Sequence, residues 1–208
     1  MRRTGLATLV LLFAGGAARA EVDWARGLVT ADGIGVANRA APTPAAARGP
    51  ARRLAEAAAR KKLAAQLDAL PLAEGGKLAA KLKDPAVNAA VEAAVANAIV
   101  VVADPETDGS WKVTMAVPIE ALRQALVGPR VLAGEDGPAV VVVEGAPTAK
   151  PAIGYKVGAL AAATVFVKDV PTWAKDAPRV KAKGAKAGVI DAAAPNATEA
   201  TLFVIPTK

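Results

Sequence analysis

Residues 99–117 read IVVVADPETDGSWKVTMAV, and this stretch decides the fold of the first half of the chain. Ile99 to Val102 are four β-branched residues in a row, which favours an extended strand. Asp104 to Ser110 is rich in Asp, Pro and Gly and is typical of a turn. From Trp111 to Val117, large apolar residues alternate with polar or small ones, the period of a half-buried strand. The stretch therefore predicts a β-hairpin.

An opening strand is predicted upstream, over residues 22–36. Gly27, Gly33 and Gly35 interrupt it, and glycines inside a strand indicate bulges or a close approach of another backbone. The last two glycines also match half of a dinucleotide-binding fingerprint. No third glycine and no helix follow there, because residues 38–50 are rich in Pro and Ala. Distortion of the strand is therefore the favoured interpretation.

A long helix is predicted from Ala51 to Leu70, because its residues are nearly all strong helix formers and Pro71 ends it. Residues 38–50 are expected to form an irregular connection before it. Leucine and alanine recur along one side of this helix at the spacing of an apolar face. The stripe predicted from this spacing comprises Leu54, Ala58, Leu63, Leu67 and Leu70.

Shorter helical segments are predicted on either side of the hairpin. Residues 77–83 are expected to form a brief helix. Asp84 followed by Pro85 indicates an N-cap and a first helical position, which predicts a helix over residues 85–98. Residues 118–126 predict a helix that packs back on the sheet through its apolar side.

The second half of the chain has the pattern of strands separated by turns. Residues 128–138 contain two prolines, three glycines and two acids, which predicts a linker. Residues 139–208 predict a β-rich module. Strands are expected at residues 139–144, 163–167, 179–186, 189–190 and 202–205, with a single helical turn at residues 172–177.

These elements predict an α+β fold. Residues 21–127 are expected to form an antiparallel sheet covered by the helices at 51–70 and 85–98, followed by the smaller β-rich module at 139–208. The sequence contains no cysteine, so its stability must come from packing rather than from disulfides.

The residues that are absent exclude several kinds of catalytic site. The sequence has no His and no Cys, which rules out Ser-His-Asp and Cys-His catalysis, His-ligated zinc and thiolate sites. Its one serine, Ser110, lies in the hairpin turn, without the strand-to-helix elbow that nucleophilic serines occupy. No catalytic, cofactor-binding or metal-binding residue and no cofactor is predicted.

The acids of the hairpin turn allow two interpretations. Asp104, Glu106 and Asp108 alternate along the chain, and carboxylate oxygens are ligands that Ca²⁺ prefers. The turn lacks the glycine position and the distant glutamate of an EF-hand. Turn propensity alone explains the same residues and is favoured.

One basic set is the candidate interaction surface. In an extended strand, alternate side chains project to the same face, so a run of alternating lysines makes a positive strip. Such a strip can contact an anionic polymer or an acidic partner. The alternatives are a solvated strand face or a sheet edge protected by lysine. The set comprises Lys175, Arg179, Lys181, Lys183 and Lys186.

Residues 1–20 carry the three parts of a secretory signal peptide in order. Residues 2–3 are arginines, residues 6–14 are apolar, and residues 18–20 place small side chains where signal peptidase requires them. We therefore expect cleavage before Glu21 and a periplasmic or secreted protein without a transmembrane anchor. Cleavage would remove three arginines and no acid, lowering the formal net charge from +7 to +4. A mild positive charge on an exported protein does not indicate nucleic acid as a partner.

Three motifs in the first half of the chain occur in the same order as in a known protein family. They are the opening VDWARGLVTADGIG at residues 22–35, the Ala-Arg-x-x-Ala helix at residues 51–60, and the Gly-x-aromatic-x-Val strand at residues 109–113. Together, over residues 22–126, they resemble the Lpp-twenty-like lipoprotein family. The same region is similar to the first domain of the flagellar assembly protein FlgT, a periplasmic ring component. The family's lipid-bearing cysteine is missing, so the resemblance implies a released protein.

The resemblance implies a non-enzymatic protein of the cell envelope that acts in assembly or interaction, in association with a flagellar or other surface structure. The expected partner is another envelope protein, and an anionic envelope polymer is a further expectation. Two alternatives stay open. One is an envelope enzyme that acts on glycan or peptide through carboxylates, and the other is a module that binds an anionic polymer.

Overall fold

The computed structural model describes residues 21–129, 137–146 and 148–207, so the predicted signal peptide lies outside the described residues, as does most of the predicted linker. The strands are β1 (Glu21–Asp23), β2 (Leu28–Gly35), β3 (Ile99–Pro105), β4 (Trp111–Pro118), β5 (Val140–Glu144), β6 (Lys156–Val157), β7 (Ala163–Val167), β8 (Arg179–Lys186), β9 (Val189–Ala192) and β10 (Leu202–Pro206). The helices are α1 (Pro44–Leu67), α2 (Pro85–Ala96) and α3 (Ile119–Val127), with 3₁₀ turns at Leu78–Ala80 and Thr172–Ala174.

The α+β class is confirmed, with an antiparallel sheet followed by a β-rich module. We call β1–β4 the N-terminal sheet; its strand order is β1-β2-β4-β3, and every neighbouring pair is antiparallel. The predicted hairpin is β3–β4. Val113, Met115 and Val117 are fully buried beneath the helices, as the alternation of β4 predicts.

Helix α1 packs directly on the backbone of β2. A Cβ atom on Gly33 would lie 1.9 Å from the carbonyl oxygen of Ala55, and one on Gly35 would lie 1.7 Å from that of Ala51. The predicted close approach is therefore confirmed. The predicted bulge is not present, because β2 pairs with β4 without a register shift. The predicted opening strand is instead broken by a turn between β1 and β2.

Two predictions about α1 were wrong. The helix begins at Pro44 and not at residue 51, because the Thr43 hydroxyl accepts a hydrogen bond from the Ala46 N–H and caps it earlier. Leu54 is 58% exposed, since only small side chains fit where the helix touches the strand glycines. The buried stripe comprises Ala47, Ala51, Ala55, Ala59, Leu63 and Leu67.

The remaining helices close the core beside α1. Asp84 caps α2 as predicted, accepting a 2.8 Å hydrogen bond from the Ala86 N–H. Helix α2 packs mainly against α3 and, to a lesser extent, α1, whereas α1 lies over β2 and β4. The predicted cover of the sheet is thus supplied by α1. Edge strand β3 is left outside the helical layer.

The six strands β5–β10 form the C-terminal sheet, in the order β6-β9-β8-β5-β10-β7. Strand β5 runs parallel to both of its neighbours, β8 and β10. Its valines are buried on both faces: Val141 and Val143 pack with Phe203, and Val142 packs with Val204 on the other side. Burial on both faces is the usual state of parallel strands. The short strand β6 was not predicted from the sequence.

The two sheets share contacts along their junction. The Phe166 N–H donates to the Trp24 carbonyl oxygen at 3.1 Å, and the two rings meet edge to face with centroids 6.2 Å apart. The Arg123 guanidinium donates to the Ala161 carbonyl oxygen at 2.7 Å and to the Glu120 carboxylate. Arg123 is 4% exposed, so this polar link is buried and the two parts are held together.

Candidate interaction surfaces

The basic set lies mostly on β8, as the alternation predicts. Arg179, Lys181 and Lys183 are exposed, while the residues between them are half-buried. Lys186 is exposed at the strand end. Lys175 does not share the strand and ends the 3₁₀ turn before it. The structure therefore brings together four of the five predicted residues, which we call the basic strip.

The neighbours of β8 bear on one interpretation of the basic strip. Strand β8 lies between β5 and β9 in the sheet order, with β5 paired to residues 179–181 and β9 paired to residues 182–186, so it is not a terminal strand of the sheet. Acids also lie beside the strip. Arg179 pairs with the Glu144 carboxylate, and Glu144 is the register partner of Lys181. Exposed Asp191 on β9 is opposite Gly184. These carboxylates reduce the positive potential that an anionic polymer would meet.

The acids of the hairpin turn make local hydrogen bonds. The Asp108 carboxylate accepts a 2.9 Å bond from the Ser110 N–H, and this bond lowers the pKa of Asp108 below its ordinary value of 3.8. The Ser110 hydroxyl accepts a 2.9 Å bond from the Ala37 N–H and is nearly buried. These contacts are those of a turn. Over the residues that the structure describes, no three acidic side chains are grouped as metal ligands would be.

Two acids outside the hairpin turn, Asp23 and Asp32, also serve local structure. Asp23 accepts hydrogen bonds from the N–H groups of Ala25 and Arg26, which shape the turn after β1. Asp32 accepts a 2.7 Å bond from the Thr114 hydroxyl, across the β2–β4 pair. Each of these carboxylates has a partner on its own turn or sheet.

A depression of about 460 Å³ lies at the carboxyl ends of the parallel strands β5, β7 and β10. Ligands in sheets with parallel strands often bind at such an end. Glu144, Lys168 and Asp169 contribute its charged side chains, and Glu144 already pairs with Arg179. The depression has the shape of a shallow binding surface and no polar group buried within it to fix a substrate.

Strand β3 exposes a run of large apolar side chains to solvent. Its first four residues, Ile99 to Val102, are between 41% and 51% exposed, although all are large and apolar. We call these four residues and the unpaired side of their backbone the β3 edge. Strand β4 lies on one side of β3, and no described strand lies on the other. A register shift between Val100 and Val102 leaves Val101 as a bulged residue.

The opposite edge of the N-terminal sheet is the short strand β1, and two of its three residues are Glu21 and Asp23. Strand β1 pairs with the first part of β2. Beyond β1, the Lys62 ammonium donates a 2.8 Å hydrogen bond to the Asp32 carbonyl oxygen on the open side of β2. Very short edge strands and lysine are common ways to block a sheet edge, as are bulges and proline. Strand β3 is longer and has no lysine; its protective features are the bulge at Val101 and Pro105 at its end.

Sequence reasoning predicted this strand but missed its exposure. An unbroken run of β-branched residues indicates a strand buried on both faces. The signal that pointed the other way was the hairpin itself, because a hairpin that follows a helix readily leaves one strand at the end of the sheet.

Comparison of the chain with models of protein families gave no match, and comparison with curated proteins also gave none. The resemblance to the Lpp-twenty-like lipoprotein family therefore stays a prediction. Among the described residues, none of the helices is long and apolar enough to cross a membrane.

Proposed function

We propose that this chain is an exported, non-enzymatic protein of the cell envelope that acts in assembly or interaction, and that it binds another polypeptide through the β3 edge. The observation that carries the proposal is the contrast between the two edges of the N-terminal sheet. One edge is the three-residue strand β1 with Glu21 and Asp23, beside which Lys62 bonds to β2, while the other exposes four apolar residues beside an open backbone.

An open sheet edge binds by strand addition. The incoming strand forms main-chain hydrogen bonds, and its side chains pack beside those of the edge strand. The β3 edge favours an apolar, uncharged strand, because Ile99 to Val102 offer no charged group. Contiguous exposed apolar surface of this kind marks interaction sites in folded proteins.

The non-enzymatic assignment is supported by the use of the acids. Asp23, Asp32 and Asp108 each accept hydrogen bonds from their own turn or sheet. Glycosidases that work through two carboxylates hold them facing each other across a substrate cleft. An envelope enzyme is therefore the less favoured alternative.

A pull-down from envelope extract tests the proposal, with the chain purified from the exported fraction as bait. Val101→Lys places a charge in the β3 edge, and Leu54→Lys places the same charge on an equally exposed apolar site of α1. We expect a polypeptide to be retained by the parent chain and by Leu54→Lys, and to be lost with Val101→Lys. Equal retention by all three baits would contradict the proposal. N-terminal sequencing of the bait should start at Glu21, and an intact Met1 would contradict export.

The basic strip supports a second candidate function, binding of an anionic envelope polymer. Lys181, Lys183 and Lys186 are exposed and form no ion pair with a described residue. The double variant Lys181→Glu/Lys183→Glu should then lose co-sedimentation with isolated cell wall, in a salt-dependent manner. Unchanged sedimentation would leave the strip as the solvated face of a strand.

A further inference from the structure

We propose that the β3 edge pairs antiparallel with the β3 edge of a second copy of this chain, joining two four-stranded sheets into one of eight strands. The inference rests on the proposed role of the β3 edge as a binding surface and names its partner. A strand at the end of a sheet is a template for another strand, and the simplest symmetric partner is itself.

The geometry of the sheet leaves room for a second copy. Helix α1 lies over β2 and β4 rather than over β3. Six of the seven residues of β3 are exposed, so both of its faces and its outer side are accessible. An incoming strand therefore meets no helix of the first copy at the β3 edge.

The sequence of β3 is complementary to itself in the antiparallel direction. Aligning Ile99 with Val102 of the second copy pairs β-branched residues at both ends of the run and places the Val101 bulge at its centre. Such cross-strand pairs are the ones that stabilise antiparallel sheets. In the same register Asp104 lies beyond the paired run, level with Asn97, the C-cap of α2, and not beside another acid.

Charge selects the antiparallel direction over the parallel one. In the antiparallel register, the two Asp104 positions lie at opposite ends of the pair, seven residues or ~23 Å apart. Parallel pairing in register would place the two carboxylates side by side on neighbouring strands. Like charges directly opposite each other are destabilising.

The partner strand must be apolar, and the described strands contain two other runs of this kind, Val140 to Val143 in β5 and Leu202 to Ile205 in β10. Strand β5 pairs with β8 and β10, and β10 pairs with β5 and β7. Both runs lie inside the C-terminal sheet and are not available to a second copy. The β3 edge of another copy is therefore the matching strand that the chain itself supplies.

The difference between the two edges predicts a closed pair. Strand β1, the other edge of the N-terminal sheet, is three residues long and two of them are Glu21 and Asp23, so among the described strands of this sheet β3 is the edge that offers an apolar template. Two edges of this kind would allow open-ended stacking, whereas one allows a single two-fold contact. The expected assembly is a dimer and not a fibre.

The mass of the full chain, purified as the cell produces it, tests the proposal. Sedimentation equilibrium over a concentration series should give twice the chain mass for the parent and for Leu54→Lys. Val101→Lys should give the single-chain mass at the same concentrations, with an unchanged circular dichroism spectrum. A parent that stays at the single-chain mass throughout would overturn the proposal, as would a Val101→Lys variant that still doubles its mass.

A distance measurement keeps the proposal falsifiable even where Val101→Lys fails to fold. The chain has no native cysteine, so Lys112→Cys, at the exposed position of β4 opposite Asp104, carries one spin label and keeps Asp104. Pulsed electron resonance should give a single inter-copy distance of roughly 20–30 Å. Labels three strand spacings apart, about 14 Å, as parallel pairing would place them, or no inter-copy coupling would overturn it. A single-chain mass combined with Val101-dependent retention of an envelope polypeptide would overturn self-pairing while leaving the proposed function intact.

Discussion

Two runs of the chain have almost the same sequence and opposite surroundings. Residues 99–102 are IVVV and residues 140–143 are VVVV. The first run begins edge strand β3 and is about half exposed, whereas Val141, Val142 and Val143 are at most 2% exposed in the middle of the C-terminal sheet. Local propensity makes both of them strands. Their neighbours decide whether a strand becomes core or surface.

The difference in exposure arises from the strands and helices that pack against each run. Strand β5 lies between two parallel strands, and side chains from distant parts of the chain cover both of its faces. Strand β3 pairs with β4 through a short turn. Helix α1, which packs on the glycines of β2, lies over β2 and β4 and not over β3. An exposed apolar run of this kind is retained most readily where another chain covers it.

The largest difference in stability is expected when a valine of each run is replaced by lysine. Val143→Lys places an ammonium in a fully buried site and should lower the free energy of unfolding by more than about 4 kcal/mol. Val101→Lys should change that of the dilute chain by less than about 0.5 kcal/mol, as surface substitutions do. Urea denaturation followed by tryptophan fluorescence measures both. Similar losses at both sites would break the comparison.

The second largest effect is expected at the contact between α1 and the glycines of β2. Gly33→Ala puts a Cβ atom 1.9 Å from the Ala55 carbonyl oxygen, and α1 has to move. We expect a loss of about 3 kcal/mol in unfolding free energy. Gly184→Ala on β8, where no atom lies within 4 Å of the new Cβ, is the matched control and should be near neutral. Equal effects would mean that the helix does not seat on the strand glycines.

A smaller effect on stability is expected at the junction between the N-terminal and C-terminal sheets. Arg123→Met removes the bonds that the buried guanidinium donates to Glu120 and to the Ala161 carbonyl oxygen. The expected loss is about 2 kcal/mol. Arg26→Met, which breaks an exposed pair with Asp23, should cost far less. Thermal unfolding measures both, and an unchanged transition for Arg123→Met would contradict the proposed link.

The sequence predicted what local chemistry controls. The hairpin followed from alternation in β4, the start of α2 from the Asp84 cap, and the close helix contact from the glycines of β2. The start of α1 and its alanine stripe were missed, because helix-forming residues occur on every side of that segment. Parallel pairing of β5 and the exposure of β3 depend on strands distant in sequence. For the same reason the basic strip was predicted as a strand, but its acidic neighbours were not.

The smallest effect on stability is expected in the turn between β3 and β4. The Ser110 N–H lowers the pKa of Asp108 in the folded chain, so the carboxylate stabilises the fold above its unfolded pKa. That contribution is lost as pH falls below 3.8 through the lowered value. Asp108→Ala should therefore lower the melting temperature slightly at neutral pH, and the difference from the parent should vanish in strong acid. Thr107→Ala, in the same turn, keeps the carboxylate and should show no such convergence.

Hydrogen exchange of the two runs, measured by mass spectrometry over a range of chain concentrations, tests the central claim most directly. Amides of residues 140–143 should be strongly protected at every concentration, because they lie inside a sheet. Amides of residues 99–102 should exchange faster in dilute solution and gain protection as concentration rises and the β3 edge becomes covered. Protection of residues 99–102 that is already complete in dilute solution, or that never changes with concentration, would contradict the account.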